Sequence, residues 1–272
     1  MSENGWPADR IDTGSAHSAR IYDYLLGGKD HYRADQEAGE ALRREWPSLP
    51  VSMRANRDWM HRVVRHLARE EGIGQFLDIG TGIPTSPNLH EIAQAETPAA
   101  RVVYVDNDPI VLTLSQGLLA STPEGRTAYV EADLRDPAAI LGSPELLETL
   151  DLGRPVAVTV LAILHFIEGE EEARGLLRRL LEPLPPGSFL ALSTATGDFA
   201  PEEVGRAAAV YHSRGIPMVL RSADQVARFF DGLELVGPGV TQAHRWRPDP
   251  AQGPAVADRE VAMYCGVARK PA

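Results

Sequence analysis

Three acidic residues follow three short apolar segments of the chain, and two glycines lie beside the first acid. The segments read FLDIGTGIP, VVYVDNDP and TAYVEADLRD, and their acids are Asp78, Asp106 and Asp133. Carboxylates can accept hydrogen bonds from hydroxyl and amine groups or pair with a cation. Gly80 and Gly82 let the backbone come close to a ligand between a strand and a helix. The spacing predicts a nucleotide-like ligand at three successive strand ends.

Two common phosphate-binding motifs do not fit these glycines. A Walker loop requires G-x-x-x-x-G-K-[ST], and Gly28-Lys29 has Asp23 where the first glycine should be. A dinucleotide-binding loop requires G-x-G-x-x-G, and Thr85 replaces its third glycine. Asp78 would also repel a pyrophosphate, because like charges disfavour each other. A cationic ligand group therefore fits this loop better.

S-adenosylmethionine offers such a group, because it carries an ammonium and a positive sulfur. The pattern apolar-Asp-apolar-Gly-x-Gly resembles motif I of the class I methyltransferases. The resemblance implies that the loop bends under the methionine moiety and that Asp78 helps to hold its amino end. It also implies that Asp106 accepts from the ribose hydroxyls, as an acid does in NAD enzymes. Asp133 would accept from the adenine amine, beside the N–H of Leu134.

The predicted cofactor-binding residues form one set across the chain. They are Asn56, Asp78, Gly80, Thr81, Gly82, Asp106, Asn107, Asp133, Leu134 and Leu161. Asn56 belongs to this set because it lies on an apolar helical stripe between Met53 and Met60. A buried polar side chain needs a partner. That partner could be the methionine end of the cofactor or a backbone carbonyl of the core.

Longer stretches resemble one family. ARIYDYLLGGKDHYRAD (19–35), DIGTGIPTSPNLHE, VVYVDNDPIVL and PGSFLALST are similar to the S-adenosyl methyltransferase family of high-GC bacteria, long filed as a domain of unknown function. The similarity runs from about Ser18 to Ala268, and YDYLLGGKDHY is its specific part. Pro84 departs from the wider class I pattern, in which a third glycine often stands. Proline lacks an N–H and has a fixed φ, so we expect a less close approach to the ligand there.

The elements that position these residues follow from the hydrophobic pattern. Three helices are predicted first, at about 17–26, from Asp30 to about Trp46, and from Ser52 to about Glu71. Short apolar segments then alternate with helical ones, which is typical of parallel βαβ units. We expect an α/β fold with a doubly wound, mostly parallel, seven-stranded Rossmann-like sheet. Its last two strands, 233–237 and 260–268, are predicted to form a hairpin.

The same pattern predicts three segments: a flexible tail (1–16), a helical lid segment (17–72) and a methyltransferase domain (73–270). Tyr22, Tyr24 and Tyr32 of the lid could supply aromatic walls, since aromatic faces attract a sulfonium. Lys29 could hold a carboxylate of the cofactor or the acceptor. Each of these four residues could instead be an ordinary packing or surface residue.

His165 is the candidate catalytic residue. It follows the fourth predicted strand, in LAILHFIEG, at the end that should face the transferring methyl. A histidine there could remove a proton from an acceptor hydroxyl or amine, or it could pack beneath the site. His61 and His66 lie five apart on a helix, and Cys265 is the only cysteine. We therefore predict no metal, no disulfide and no covalent catalysis.

The composition limits the class of protein. The chain has 272 residues, 43% of them hydrophobic, which fits one large domain or a domain with an added segment. Its net charge of -11 and the lack of a Lys/Arg cluster disfavour a nucleic-acid partner. No stretch approaches the roughly 20 apolar residues of a membrane helix. The N-terminus lacks a basic start and an apolar run, so it does not resemble a secretory signal, and we expect a cytoplasmic protein.

The predicted function is methyl transfer from S-adenosylmethionine to a small-molecule acceptor by in-line displacement. Two alternatives stay open. One is a relative that binds S-adenosylmethionine without catalysis, because cofactor motifs report binding rather than turnover. The other is an NAD-dependent oxidoreductase, which Thr85 and Asp78 disfavour. The sequence does not determine whether nitrogen, oxygen or carbon is methylated, nor the oligomeric state.

Overall fold

The computed structural model describes residues 12–118, 121–249 and 256–272. Its strands are β1 (Gln75–Ile79), β2 (Arg101–Asp106), β3 (Arg126–Glu131), β4 (Ala157–Leu161), β5 (Phe189–Ala195), β6 (Glu234–Leu235), β7 (Thr241–Gln242) and β8 (Met263–Arg269). Its helices are α1 (Ser18–Leu26), α2 (Arg33–Glu45), α3 (Leu49–Arg69), α4 (Leu89–Glu96), α5 (Pro109–Leu118), α6 (Pro137–Leu141), α7 (Pro144–Thr149), α8 (Glu170–Leu181), α9 (Pro201–Ser213) and α10 (Ala223–Ala227). Residues 1–11 of the predicted tail lie outside the described residues.

All eight strands belong to one sheet, in the order β3-β2-β1-β4-β5-β8-β6, with β7 also paired to β8. The first five strands are parallel, and β8 runs antiparallel to β5. The two-residue strands β6 and β7 pair with different parts of β8. Together they occupy the position of one strand, so the predicted α/β fold with a mostly parallel sheet is confirmed. The predicted hairpin corresponds to the antiparallel pairing of β6 with β8, and β7 intervenes along the chain.

The central strands are continuous apolar segments because both faces of the sheet are covered. Every residue of β1 and β5 is buried. Successive side chains of β1 point to opposite faces. Leu77 and Ile79 therefore enter one hydrophobic core, and Phe76 enters the other. This double burial fixes where the strand ends and hence where the following loop begins.

The three N-terminal helices form a third hydrophobic cluster with α9 and the end of β5. In this layer α2 packs against α9, and α3 packs against α4. Three residues of these helices, Ala19, Tyr22 and Met53, line the same cavity as Gly80 at the end of β1. The N-terminal helices therefore cover the carboxyl ends of the parallel strands. Among the described residues, no helix combines the length and apolar character needed to cross a membrane.

Two predicted helix boundaries differ from the structure. The N-cap of the second helix is Tyr32 rather than the predicted Asp30, and the Asp30 N–H donates to the carboxylate of Asp23. The third helix begins at Leu49 rather than at Ser52. Pro50 lies in the first turn of this helix, where a backbone N–H has no partner within the helix. It therefore does not interrupt the helix.

Candidate active site

A cavity of about 360 Å³ lies at the carboxyl ends of the parallel strands. This volume falls within the roughly 300–1,000 Å³ typical of ligand pockets. Most of the residues predicted for the site line it: Tyr22, Asn56, Asp78, Gly80, Thr81, Gly82, Asp106, Asn107, Asp133, Leu134, Leu161 and His165. Tyr24, Lys29 and Tyr32 do not. The structure therefore brings the three strand-end acids, the glycine loop and the candidate catalytic histidine into one space.

The loop after β1 turns sharply beneath this cavity. Gly80 and Gly82 have φ angles of 71° and 69°, which glycine adopts without the strain that a side chain would add. The Gly80 N–H donates to the carbonyl of Val105 in the neighbouring strand, at 2.7 Å. A Cβ on Gly80 would lie only 2.2 Å from Cδ1 of Ile163. The first glycine is thus required both by the backbone angle and by the close approach of the loop after β4.

Asp106 is held at the end of β2 by two backbone donors. Its Oδ2 accepts from the Gly82 N–H at 2.8 Å, and its Oδ1 accepts from the Asp108 N–H at 2.9 Å. Burial raises the pKa of Asp106, and the two N–H donors oppose this rise. Each carboxylate oxygen can still accept a second hydrogen bond, so the group can receive two donors from a ligand.

Asp78 lies deeper in the same wall and is buried. Its carboxylate accepts a hydrogen bond from the hydroxyl of Thr159 on β4. Burial raises the pKa of Asp78 to about 6, and the nearby charge of Asp106 also raises it. A buried carboxylate with this pKa gains from a cationic partner. Asp78 can therefore receive an ammonium group.

The third acid, Asp133, is fixed by its neighbours after β3. Its Oδ2 accepts from Nδ2 of Asn107 at 2.8 Å, and its Oδ1 accepts from the Arg135 N–H at 2.8 Å. Leu134 follows it and is buried. Both also line the cavity. The Asp133 carboxylate and the Leu134 backbone N–H thus lie side by side after β3.

Arg57 is a cavity residue that the sequence analysis missed. Its guanidinium donates to the carbonyl of Pro87 at 3.1 Å, and burial lowers its pKa. Within the described part of the chain it forms no ion pair with a carboxylate. It therefore keeps donors for a ligand carboxylate. The only signal in the sequence was its place next to Asn56, since arginine is common in this chain.

Asn56 lines the cavity as a buried amide with an unused acceptor. It is 4% exposed, and its Oδ1 has no hydrogen-bond partner among the described residues. Its side chain lies close to the hydroxyl of Tyr22, which donates to the carbonyl of Met53 at 3.0 Å. An unpaired buried acceptor is costly, so a ligand that donates to it would stabilise the site.

His165 lies in a 3-10 turn, Leu164–Phe166, directly after β4. Its Nδ1 accepts from the Ala195 N–H at 3.3 Å, which assigns the hydrogen to Nε2. Burial lowers the pKa of His165 to about 3, and the nearby Arg221 contributes to this shift. The imidazole is therefore neutral at physiological pH and carries a donor rather than a free acceptor. This geometry does not support the predicted role as a general base.

Arg221 holds the turn that carries His165. It is 1% exposed, and its guanidinium donates to the carbonyls of Leu164 at 2.8 Å and Ile167 at 2.6 Å. The Leu164 carbonyl also accepts from the Ile167 N–H at 3.1 Å, so the guanidinium adds to the hydrogen bonds that close this turn. The turn is thus a fixed part of the cavity wall.

The three predicted lid residues outside the cavity have local partners or face solvent. The Tyr24 hydroxyl bonds to Glu40 of α2, and Lys29 is exposed. Tyr32 packs under the guanidinium of Arg20, whose Cζ lies 5.4 Å from the ring centroid. These positions correct the expectation that all the tyrosines of the YDYLLGGKDHY block face the ligand.

That block builds the turn between α1 and α2. The buried carboxylate of Asp23 accepts from the Asp30 N–H at 2.9 Å and contacts Nδ1 of His31 at 3.0 Å. Gly27 ends α1 with φ 86°, and a Cβ on Gly28 would overlap Asp23. Apart from Tyr22, which lines the cavity, the motif therefore positions the N-terminal helices.

A buried ion cluster attaches α1 to the loop after β2. Asp108 lies 3.1 Å from Nδ1 of His17 and 3.4 Å from Nε of Arg20. Arg20 also lies 3.7 Å from Asp35 of α2, and that carboxylate accepts from the His17 N–H at 2.8 Å. The sequence analysis did not identify this cluster. It fixes the start of α1, where the N-cap His17 and the helical residues Ser18 and Ala19 line the cavity.

A sequence profile described as S-adenosyl methyltransferase matches residues 4–271. The chain belongs to this S-adenosyl methyltransferase family. The match confirms the predicted family and its cofactor, S-adenosylmethionine, and favours that cofactor over NAD. The charged donors and acceptors of the cavity fit the amino acid, ribose and adenine groups of this molecule. No curated protein matches the chain significantly.

Solved structures show the same relationship. A DUF574 family protein from Streptomyces avermitilis is 68% identical, with a TM-score of 0.94, over 96% of this chain and 100% of its own. A candidate methyltransferase from Thermobifida fusca is 36% identical, with a TM-score of 0.89, over 98% of both chains. An O-methyltransferase family protein from Burkholderia thailandensis is 16% identical, with a TM-score of 0.52, over 78% of this chain and 55% of its own. The last likeness concerns the fold alone.

Proposed function

We propose that this chain catalyses methyl transfer from S-adenosylmethionine to a small-molecule acceptor that enters the same cavity. The observation that carries the proposal is the division of this cavity. One half contains the charged groups at the ends of β1 to β3, and the other half is apolar and lies between α3 and α9. A methyltransferase must hold a charged cofactor and a second reactant side by side, and the lining of this cavity has a charged part and an apolar part.

The charged half fits the cofactor group by group. Asp78 would pair with the ammonium, and Arg57 would bind the carboxylate. Asp106 would accept from the ribose hydroxyls. Asp133 would accept from the adenine amine, and the Leu134 N–H would donate to the ring. When bound, S-adenosylmethionine supplies a methyl group that its positive sulfur already activates.

The remaining work of the protein is positioning and exclusion of water. Holding two reactants in the correct orientation can supply about 7–11 kcal/mol of the barrier. In our proposal the N-terminal helices act as a lid, because Ala19, Tyr22 and Met53 cover the strand ends. His165 would donate a hydrogen bond from Nε2 and would not accept a proton.

Titration calorimetry with S-adenosylmethionine, S-adenosylhomocysteine and NAD tests the proposal. We expect the first two ligands to bind and NAD not to bind. Binding of NAD alone would refute the assignment of the charged half.

Turnover separates an enzyme from a relative that only binds the cofactor. The protein would be incubated with methyl-labelled S-adenosylmethionine and a bacterial small-molecule extract. Catalysis predicts transfer of the label to a compound of the extract, together with S-adenosylhomocysteine. Binding of both cofactor forms without any labelled compound would favour the non-catalytic relative.

A further inference from the structure

We propose that the acceptor is an uncharged, ring-containing, mainly apolar compound, and this inference rests on the proposed methyl transfer. It would bind in the part of the cavity that we call the aromatic chamber, defined by Trp46, Met53, Phe166, Ala207, Tyr211 and Met218. Met53 lies on α3, Ala207 and Tyr211 lie on α9, and the other three lie in the segments after α2, β4 and α9. All of them belong to one hydrophobic cluster as well as to the cavity lining.

The chamber is shaped by rings that stand at steep angles to one another. Phe166 lies 6.2 Å from Tyr211 with an interplanar angle of 62°, and 4.3 Å from His165 with an angle of 65°. Aromatic groups prefer such edge-to-face arrangements, so a ligand ring can add to them. Met53 and Met218 contribute flexible, polarizable walls that adapt to flat ligands.

Most charged side chains of the cavity lie away from the chamber; Arg135 reaches its edge, where it donates to the carbonyl of Phe166 at 3.2 Å and is paired with Asp133 at 3.5 Å. Asp78, Asp106 and Asp133 are at the strand ends, and Arg57 donates to Pro87 in the loop after β1. Within the described residues, the chamber itself contains no ionised side chain. Burying an unpaired charge is strongly unfavourable. The chamber therefore disfavours an anionic or cationic acceptor and favours a neutral one.

Three donors belong to side chains that line this chamber or its edge. The Trp46 Nε1–H is buried and has no hydrogen-bond partner among the described residues. The Tyr211 hydroxyl has no hydrogen-bond partner among the described residues, and burial raises its pKa, so it stays protonated. His165 carries its hydrogen on Nε2 because Nδ1 is occupied by the Ala195 N–H. Buried donors without acceptors are costly. The ring compound should therefore carry a carbonyl, ether or hydroxyl oxygen that accepts from them.

A matched pair of probes tests the charge requirement. Naphthalene-2-carboxamide and naphthalene-2-carboxylate have nearly the same shape but differ by one charge. Binding would be measured with S-adenosylhomocysteine present, using protein labelled with 13C on the methionine methyl groups. We expect the carboxamide to shift the signals of Met53 and Met218 and to bind at least tenfold more tightly than the carboxylate. Equal or tighter binding of the carboxylate would overturn the proposal, and so would unmoved Met53 and Met218 signals with both probes.

Two variants of α9 locate the probe. Ala207→Phe fills the chamber, whereas Ala209→Phe places the same ring on the exposed side of the same helix. We expect Ala207→Phe to weaken carboxamide binding at least tenfold with S-adenosylhomocysteine affinity within about twofold, and Ala209→Phe to change neither. An unaltered carboxamide affinity in Ala207→Phe would contradict the assignment.

Different results would refute the proposed methyl transfer and the proposed acceptor site. Absence of S-adenosylhomocysteine binding to the unmodified protein would refute the proposed function, whatever the probes do. Normal S-adenosylhomocysteine binding with no preference for the neutral probe would refute only the chamber. If Ala207→Phe does not fold, the methionine signals of the unmodified protein decide between these outcomes.

Discussion

The Gly82 N–H donates a 2.8 Å hydrogen bond to Oδ2 of Asp106, so the loop after β1 and the end of β2 hold each other directly. The same carboxylate also accepts from the Asp108 N–H. Asp108 in turn lies beside His17 and Arg20 of the N-terminal segment. Asp106, the proposed ribose-binding acid, therefore joins the glycine loop to the end of β2 and, through Asp108, to the helices above the cavity.

Replacing this acid should weaken cofactor binding. Asp106→Asn removes the charge while keeping the size, and loss of a hydrogen bond to a charged group costs about 1.5–3 kcal/mol. We expect the dissociation constant for S-adenosylhomocysteine to rise by about 10- to 100-fold in calorimetry. Asp224→Asn changes an exposed acid of α10 and serves as the control. An affinity equal to that of the control would argue against a ribose contact.

Cofactor affinity should depend on pH through Asp78. Its pKa is raised to about 6, so the carboxylate gains its charge as the pH rises through 6. If the ionised form pairs with the ligand ammonium, S-adenosylhomocysteine should bind about tenfold more weakly at pH 5 than at pH 8. In Asp78→Asn this difference should disappear. Titrations of both proteins across this range measure it, and an equal pH dependence in both would exclude Asp78 as the origin.

Arg57 and Arg54 provide a matched test on one helix. Arg57 lines the cavity, whereas Arg54 is exposed on the same α3. Arg57→Gln should raise the dissociation constant by about 10- to 100-fold, because a charged hydrogen bond to the ligand carboxylate is lost. Arg54→Gln should leave it unchanged. The decarboxylated cofactor analogue adds a second measurement, since it should bind both variants equally. A similar loss in affinity for that analogue with Arg57→Gln would place the arginine elsewhere on the ligand.

His165 should make the fold sensitive to acid. Its pKa falls from an ordinary 6.5 to about 3 on burial, so between these values the unfolded chain binds a proton that the native chain does not. The stabilisation is complete above pH 6.5 and is lost as the pH falls. At pH 5 the loss amounts to about 2 kcal/mol relative to pH 7.

His165→Gln should therefore lose less stability between pH 7 and pH 5 than the unmodified protein. Urea unfolding at both pH values gives the comparison. Other titrating groups, including Asp78, are common to both proteins and cancel in the difference. The same loss in both proteins would mean that the imidazole is accessible to solvent and protonates readily in the native state.

The site residues that follow short sequence motifs were predicted from the sequence. A site residue that depends on contact between distant segments was missed. The three acids could be placed together from sequence, because carboxyl ends of parallel strands lie at one edge of the sheet. Arg57 could not, because its role depends on the distance from α3 to the loop after β1. The block YDYLLGGKDHY marked the family, yet its residue Asp23 binds the chain between α1 and α2 and not the ligand.

By itself, the sequence determined the parallel sheet, the glycine loop, the strand-end acids and the cofactor. These depend on side-chain periodicity and on short motifs, which act over a few neighbouring residues. Only the tertiary structure decided the state of His165 and the walls of the aromatic chamber. The proton position follows from the Ala195 N–H, and the chamber joins Trp46 to Met218 across most of the chain. Burial and packing between such distant residues set their chemistry, and no local pattern encodes them.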